Sequence, residues 1–174
     1  AFERFAGSRV LGLSNREIVE LARDRGLSAP ASLSHDDRDG WLNLILAEVV
    51  EPQLGNVAPV FLMDYPASQS ALARTRNDGE FSVAERFELY DHGIELCNGY
   101  HELTDSEELA RRTARELDNR SDSINLNGPG LLQQAMLRGL PECSGVALGF
   151  DRLVMCSLGC SDIATVIAFP IDRA

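Results

Sequence analysis

The sequence predicts an α+β fold, an antiparallel β-sheet with helices packed on it. Three observations carry this. Apolar residues recur at helical spacing through the first third, and short or alternating apolar runs replace them in the middle. Strands that are neighbours in sequence are joined by turns, and strand–helix–strand order, the mark of a doubly wound sheet, occurs only at the end.

Ser14-Asn15-Arg16-Glu17 reads as a capping box that opens a helix to about Asp24, closed near Gly26. A second helix is expected from Asp36 to Val50, with Trp41, Leu44, Ile45 and Val49 on one stripe and Pro52 as its stop. Val60–Met63 is expected as a short buried strand closed by Tyr65-Pro66. From Ala84 to Tyr90, Phe87 and Leu89 alternate with Glu88 and Tyr90. Asp91-His92-Gly93 makes a turn, and Ile94–Leu103 continues as strand. Thr104-Asp105-Ser106-Glu107 reads as a second capping box, for a helix to about Leu117. A loop over Arg120–Asn127 and a helix from Pro129 to Arg138 follow, with Gly139 and Pro141 ending that helix. The close reads strand (Ser144–Leu148), helix (Asp151–Leu158), strand (Val166–Phe169).

The 174 residues suffice for one domain with its own core. A net charge of −11 argues against binding nucleic acid through bulk charge, because phosphate contacts need a basic face. All basic residues are arginine; lysine is absent. The longest apolar stretches are too short to span a bilayer, so no membrane partner is expected. Cys97, Cys143, Cys156 and Cys160 lack zinc-type spacing and read as reduced, buried thiols of a cytoplasmic protein.

Two segments carry the chemistry. In Gly93–Leu103, Asn98, Tyr100 and Glu102 are two apart and share a strand face. Glu95 lies seven before Glu102, an odd offset that a regular strand sends to the other face. Either a hairpin turn at Asn98-Gly99 or a bulge at Gly99 would return both carboxylates to one face. Two adjacent carboxylates repel, and a divalent cation such as Mg²⁺ would relieve that; a solvated polar strand is the plainer alternative. In Ser144–Leu153, a strand passes through Gly145 and Gly149 into a helix whose first turn holds Asp151 and Arg152. A cation there opposes the helix dipole unless it shares an anion, such as a phosphate, with the helix end; a salt bridge to a surface acid explains it equally.

Together Gly93–Asp105 and Gly145–Arg152 resemble the catalytic core of class II aminoacyl-tRNA synthetases of the lysyl type, with Gly145–Arg152 similar to their third signature motif. The match is closer to the lysyl-tRNA-synthetase-like ligases that modify elongation factor P with (R)-β-lysine. Pro66–Ser70, Ala84–Glu88, Cys143–Arg152 and the ending Val166–Ala174 share in it. The resemblance implies an AMP-forming ligase that uses ATP and Mg²⁺ on lysine or (R)-β-lysine, with a lysine of elongation factor P as acceptor and tRNA as the less favoured one. It implies that Glu95 and Glu102 hold Mg²⁺ and ATP, and that Arg152, beside Gly149, grips the γ-phosphate. Asn98, Tyr100 and Glu102 would line the amino-acid pocket. Ala147 stands where lysyl-tRNA synthetases carry glycine and the ligases carry alanine, which favours the ligase.

The first two class II motifs are not in this sequence, and it opens on Ala1. The expectation is the C-terminal part of a class II catalytic domain, inactive alone, whose full-length form would dimerise. Residues 1–58 would be a mainly helical insertion or connector, and 59–174 would carry the sheet and catalytic segments. Lysyl-tRNA synthetase itself and a non-catalytic synthetase-like binding module are the alternatives. His101 reads as a packed or exposed histidine rather than a catalytic base. Ser68 and Gln69 read equally as pocket contacts or loop polarity, and Arg74, Arg76 and Arg86 as solvated charges, with phosphate or a partner as the alternative.

Overall fold

The computed structural model describes residues 1–118 and 130–171. In chain order the elements are α1 (Phe2–Phe5), α2 (Asn15–Asp24), α3 (Arg38–Ile45), β1 (Val60–Pro66), β2 (Thr75–Asp78), β3 (Phe81–Asp91) and β4 (Ile94–His101). Then come α4 (Ser106–Asp118), α5 (Leu131–Met136), β5 (Ser144–Leu148) and α6 (Phe150–Leu158). The strands form one antiparallel sheet in the order β1-β3-β4-β5, with β2 also paired to β3. The α+β class read from the sequence holds.

Helix α2 starts as expected. The Ser14 hydroxyl accepts from the Glu17 N–H at 3.4 Å, and the Glu17 carboxylate accepts from the Ser14 N–H at 2.7 Å. The Ser14 side chain and backbone hold the Glu17 carboxyl below its ordinary value of 4.5. A depressed native value means the cap stabilises fully above pH 4.5 and loses that contribution as pH falls through the native value. Glu17→Gln is therefore expected to flatten the acid limb of an α2 backbone NMR titration. An unchanged limb would show that the box contributes nothing there.

Helix α3 begins at Arg38, with the Asp37 carboxylate accepting from the Gly40 N–H at 2.9 Å. The segment continues as a π-helical turn, Leu46–Val50, and a 3-10 turn, Glu51–Gln53, that contains Pro52. Ile18, Val19, Ala22, Trp41, Leu42, Ile45 and Val50 bury one common face against Tyr65, Ala73, Ala84 and Tyr90 of the sheet region. Fully burying one such aliphatic side chain stabilises by about 1.5–3 kcal/mol. The helical first third therefore shares a core with the sheet.

Cross-strand partners lie on the same face of a sheet. The pairs Glu88 with Asn98, Arg86 with Tyr100, Asn98 with Ala147 and Tyr100 with Gly145 define the face on which the N-terminal helices pack. The opposite face carries Phe61, Met63, Phe87, Gly99, Val146 and Leu148 and is largely open, with Met63 60% and Val146 61% exposed.

Several local expectations change. Val60–Met63 is a strand but not a buried one, because β1 is an edge strand whose Phe61 and Met63 point to the open face. In β3 the buried positions are Val83, Ala84, Glu88 and Tyr90, whereas Phe87 and Leu89 are half-buried. A buried polar network reverses the face that hydrophobicity alone selects. Asn98-Gly99 is no turn but the middle of β4; the Phe87 ring lies across Gly99, where a Cβ would overlap it. Asp105, not Thr104, caps α4, accepting from the Glu107 and Glu108 N–H groups at 2.8 and 3.1 Å. Val166–Phe169 pairs with no described strand and is irregular. Strand β2 was not anticipated, since Thr75–Asp78 has no apolar alternation; only Asp78-Gly79 hinted at its hairpin. Of the thiols only Cys97 is buried, and all four are free. The loop expected at Arg120–Asn127, Pro129 and the final three residues lie outside the described residues.

Candidate active site

The two-residue turn His92-Gly93, both at positive φ, reverses the chain and pairs Asp91 with Ile94. The register then slips: Tyr90 opposes Glu95, while Leu89 opposes Cys97, so Leu96 is the extra residue of a bulge. The bulge inverts the alternation. Glu95 joins Asn98 and Tyr100 on the helix-packed face, with Glu102 next in the same alternation beyond the strand end. A bulge is thus what brings both carboxylates to one face, three residues earlier than Gly99.

The two residues stand at different points along the strand, however. Seven positions of nearly continuous strand separate them, roughly 20 Å at about 3.3 Å per residue. The hairpin that would have set Glu95 directly opposite Glu102 is not formed, and the bulge alone places the two on one face. Among the described residues, no three His, Cys, Asp or Glu side chains are grouped to hold a metal ion.

Each end of the face has its own character. At one end, the Gly149 N–H donates to the Leu96 carbonyl at 2.8 Å and fastens the start of α6 to the bulge. Arg152 Nη1 then donates to the Glu95 carbonyl oxygen at 2.9 Å and lies 3.5 Å from its carboxylate. The side chains of Arg152 and Glu95 are 47% and 36% exposed, so this ion pair is weak and exchangeable. A hard carboxylate oxygen and a guanidinium side by side suit a cation-bound phosphate group. At the other end, the Glu102 N–H donates to Cys143 at 3.0 Å, and its carboxylate lies over Gly145, where a Cβ would overlap it. Ala147 is exposed directly opposite Asn98.

Between the ends lies a polar network that sequence reasoning missed. Glu88, 6% exposed, accepts from Tyr65 Oη at 2.5 Å and Tyr90 Oη at 2.7 Å and pairs with Arg86. Tyr90 Oη also lies 3.0 Å from the Glu51 carboxylate. Burial, and then the bond to Glu88, push both phenols well above the ordinary tyrosine range, so they stay protonated donors. Burial likewise raises Glu51. The usable signal was the even-numbered run Arg86, Glu88, Tyr90, a polar face no soluble strand would bury without partners. Arg86 is accordingly not a solvated charge.

Ser68 and Gln69 turn away from the face: Ser68 Oγ donates to Asp39 at 2.8 Å and Gln69 Nε2 to Asn43 at 3.0 Å, tying the chain after β1 to α3. His101 faces the other way, 2.7 Å from Glu85. A separate cleft of about 610 Å³ lies between the N-terminal segment and β1, lined by Leu11, Leu46, Met63 and Phe81. It takes in Tyr65 and Gln69 but none of Glu95, Asn98, Tyr100, Glu102 and Arg152.

Residues 38–173 match the family described as tRNA synthetases class II (D, K and N). Elongation factor P–(R)-beta-lysine ligases of Salmonella dublin, Salmonella paratyphi B and Salmonella enteritidis are each 44% identical to the chain over 182 aligned residues, covering 100% of it and 54% of theirs. The chain spans about half the length of these curated relatives. No helix among the described residues is long and apolar enough to cross a membrane.

Proposed function

The chain belongs to the family of class II tRNA synthetases (D, K and N), and on that premise we propose that it serves an ATP-dependent ligase acting on lysine or (R)-β-lysine. The substrate carboxylate attacks the α-phosphorus of ATP, the bond to the β-phosphate breaks, and pyrophosphate leaves. A lysine amine of elongation factor P then attacks the acyl carbon and AMP departs. The elongation factor P ligases among the relatives support this acceptor, and a cytoplasmic site follows from the acceptor's role in translation.

The observation that carries the reading is the polarity of one sheet face. Glu102 over Gly145 offers a carboxylate to an ammonium at one end, and Glu95 with Arg152 offers a phosphate site at the other. An amine-bearing acyl group joined to a nucleotide is an elongated molecule with those two ends. Asn98 and Tyr100 line the space between, and the Ala147 methyl narrows it beside Asn98. Arg152 takes the γ-phosphate in exchange for Glu95, and the Gly149 backbone keeps α6 in place. Bound Mg²⁺ would neutralise phosphate charge, with Glu95 as its protein ligand. The chain's own contribution is positioning and electrostatic complementarity rather than covalent catalysis.

The test is ATP–pyrophosphate exchange with the product of the complete gene, comparing lysine with (R)-β-lysine. Exchange stimulated by (R)-β-lysine, and acylation of elongation factor P, are expected. Preference for α-lysine with charging of tRNA would make it a lysyl-tRNA synthetase instead. Absence of Mg²⁺-dependent ATP binding would leave a non-catalytic module.

A further inference from the structure

We propose that Arg86 is a positioning residue for the amino-acid end of this face, acting through Asn98 and Tyr100 without touching substrate. The inference rests on the reading above and deepens it. The Arg86 side chain is only 17% exposed and is held on every side. Its Nη1 donates to the Gln69 carbonyl oxygen at 3.0 Å, and its Nη2 donates to the Glu88 carboxylate. Its guanidinium carbon sits 4.4 Å from the Tyr65 ring centre and 5.9 Å from that of Tyr100. The remaining Nε–H donates to Asn98 Oδ1 at 3.3 Å.

That last bond has a directional consequence. A guanidinium has donors and no acceptor, so the Asn98 atom facing it must be the carbonyl oxygen. The amide nitrogen is then the group Asn98 offers to a ligand, as a donor. Without Arg86, the amide is free to turn over and present either atom, and the Tyr100 ring loses the plane it rests beside. Lysine cannot substitute, because a point charge paired with Glu88 lacks the flat fork that reaches Asn98, Gln69 and two rings at once.

The experiment uses Arg86→Lys in the product of the complete gene, measuring lysine- or (R)-β-lysine-dependent ATP–pyrophosphate exchange. The KM for the amino acid is expected to rise about tenfold, the loss of one positioned charge-assisted hydrogen bond, with the KM for ATP unchanged. Adding Arg86→Lys to Asn98→Ala is expected to cause a much smaller rise than Arg86→Lys alone, since the two share the Asn98 interaction and only the Tyr100 contact is left to lose. If Arg86→Lys fails to fold, the neutral pair Arg86→Gln with Glu88→Gln removes both charges together, a milder perturbation, and the same KM rise is expected. A fall in stability alone, or effects of Arg86→Lys and Asn98→Ala that multiply, would overturn the inference. The Asn98 side-chain amide, followed by NMR, gives a readout independent of turnover: its signals are expected to shift and broaden in Arg86→Lys. Signals that stay put overturn the positioning role even in an inactive protein. A wild-type protein with no amino-acid-dependent exchange refutes the ligase reading separately.

Discussion

Glu88→Ala is expected to lower the stability of the protein by about 3–5 kcal/mol, the cost of removing one partner from a buried ion pair. The carboxylate accepts from two phenols and one guanidinium, all shielded from water by the helical layer. Its loss strands the Arg86 cation in a site that is 17% exposed. Tyr65 loses its acceptor, while Tyr90 retains Glu51. Glu88→Gln should cost less, since the amide keeps the shape and one acceptor. Urea denaturation of the three proteins measures this. A loss below about 1 kcal/mol for Glu88→Ala, the size of an exposed pair, would mean that water replaces the carboxylate and the network is not dry.

The second large effect concerns function. Glu102→Ala should reduce amino-acid-dependent activity by about a hundredfold or more in kcat/KM, because a substrate ammonium loses its charged acceptor. Folding should be little affected, since Glu102 lies at the end of β4 and its backbone N–H, not its carboxylate, bonds Cys143. Gly145→Ala offers an independent approach to the same point. The new methyl would occupy the place of the Glu102 carboxylate, the mobile end of a side chain, so the fold should adjust while the carboxylate is displaced. The two variants are expected to fail alike on the amino acid while binding ATP normally. Full activity in either would remove Glu102 from the pocket.

Much of the architecture could be read directly. The Ser14–Glu17 box is set by contacts within three residues. The His92-Gly93 turn and the start of α6 after Gly149 carry local turn and helix-start chemistry, so sequence places all three although the last two also bond to distant backbone. The placement of the candidate site residues was legible too: Asn98, Tyr100 and Glu102 alternate, and Arg152 sits in the first turn of a helix. What failed depended on neighbours distant in sequence. Gly99 looked like a turn residue but serves to admit the Phe87 ring from the next strand. Phe87 and Leu89 looked like core, yet the face that the helices cover belongs to Glu88 and Tyr90.

The sequence by itself determined the α+β class, the placement of the two candidate segments in one strand and one helix start, and which side chains carry charge. Only the tertiary structure decided where those charges meet. A one-residue slip at Leu96 turned Glu95 onto the face of Glu102, and the length of β4 beyond the bulge spaced the two residues along that face. Side-chain direction in a strand has a period of two, so a single bulge reverses it. Register is a property of the pairing between strands, and no stretch of one strand contains it.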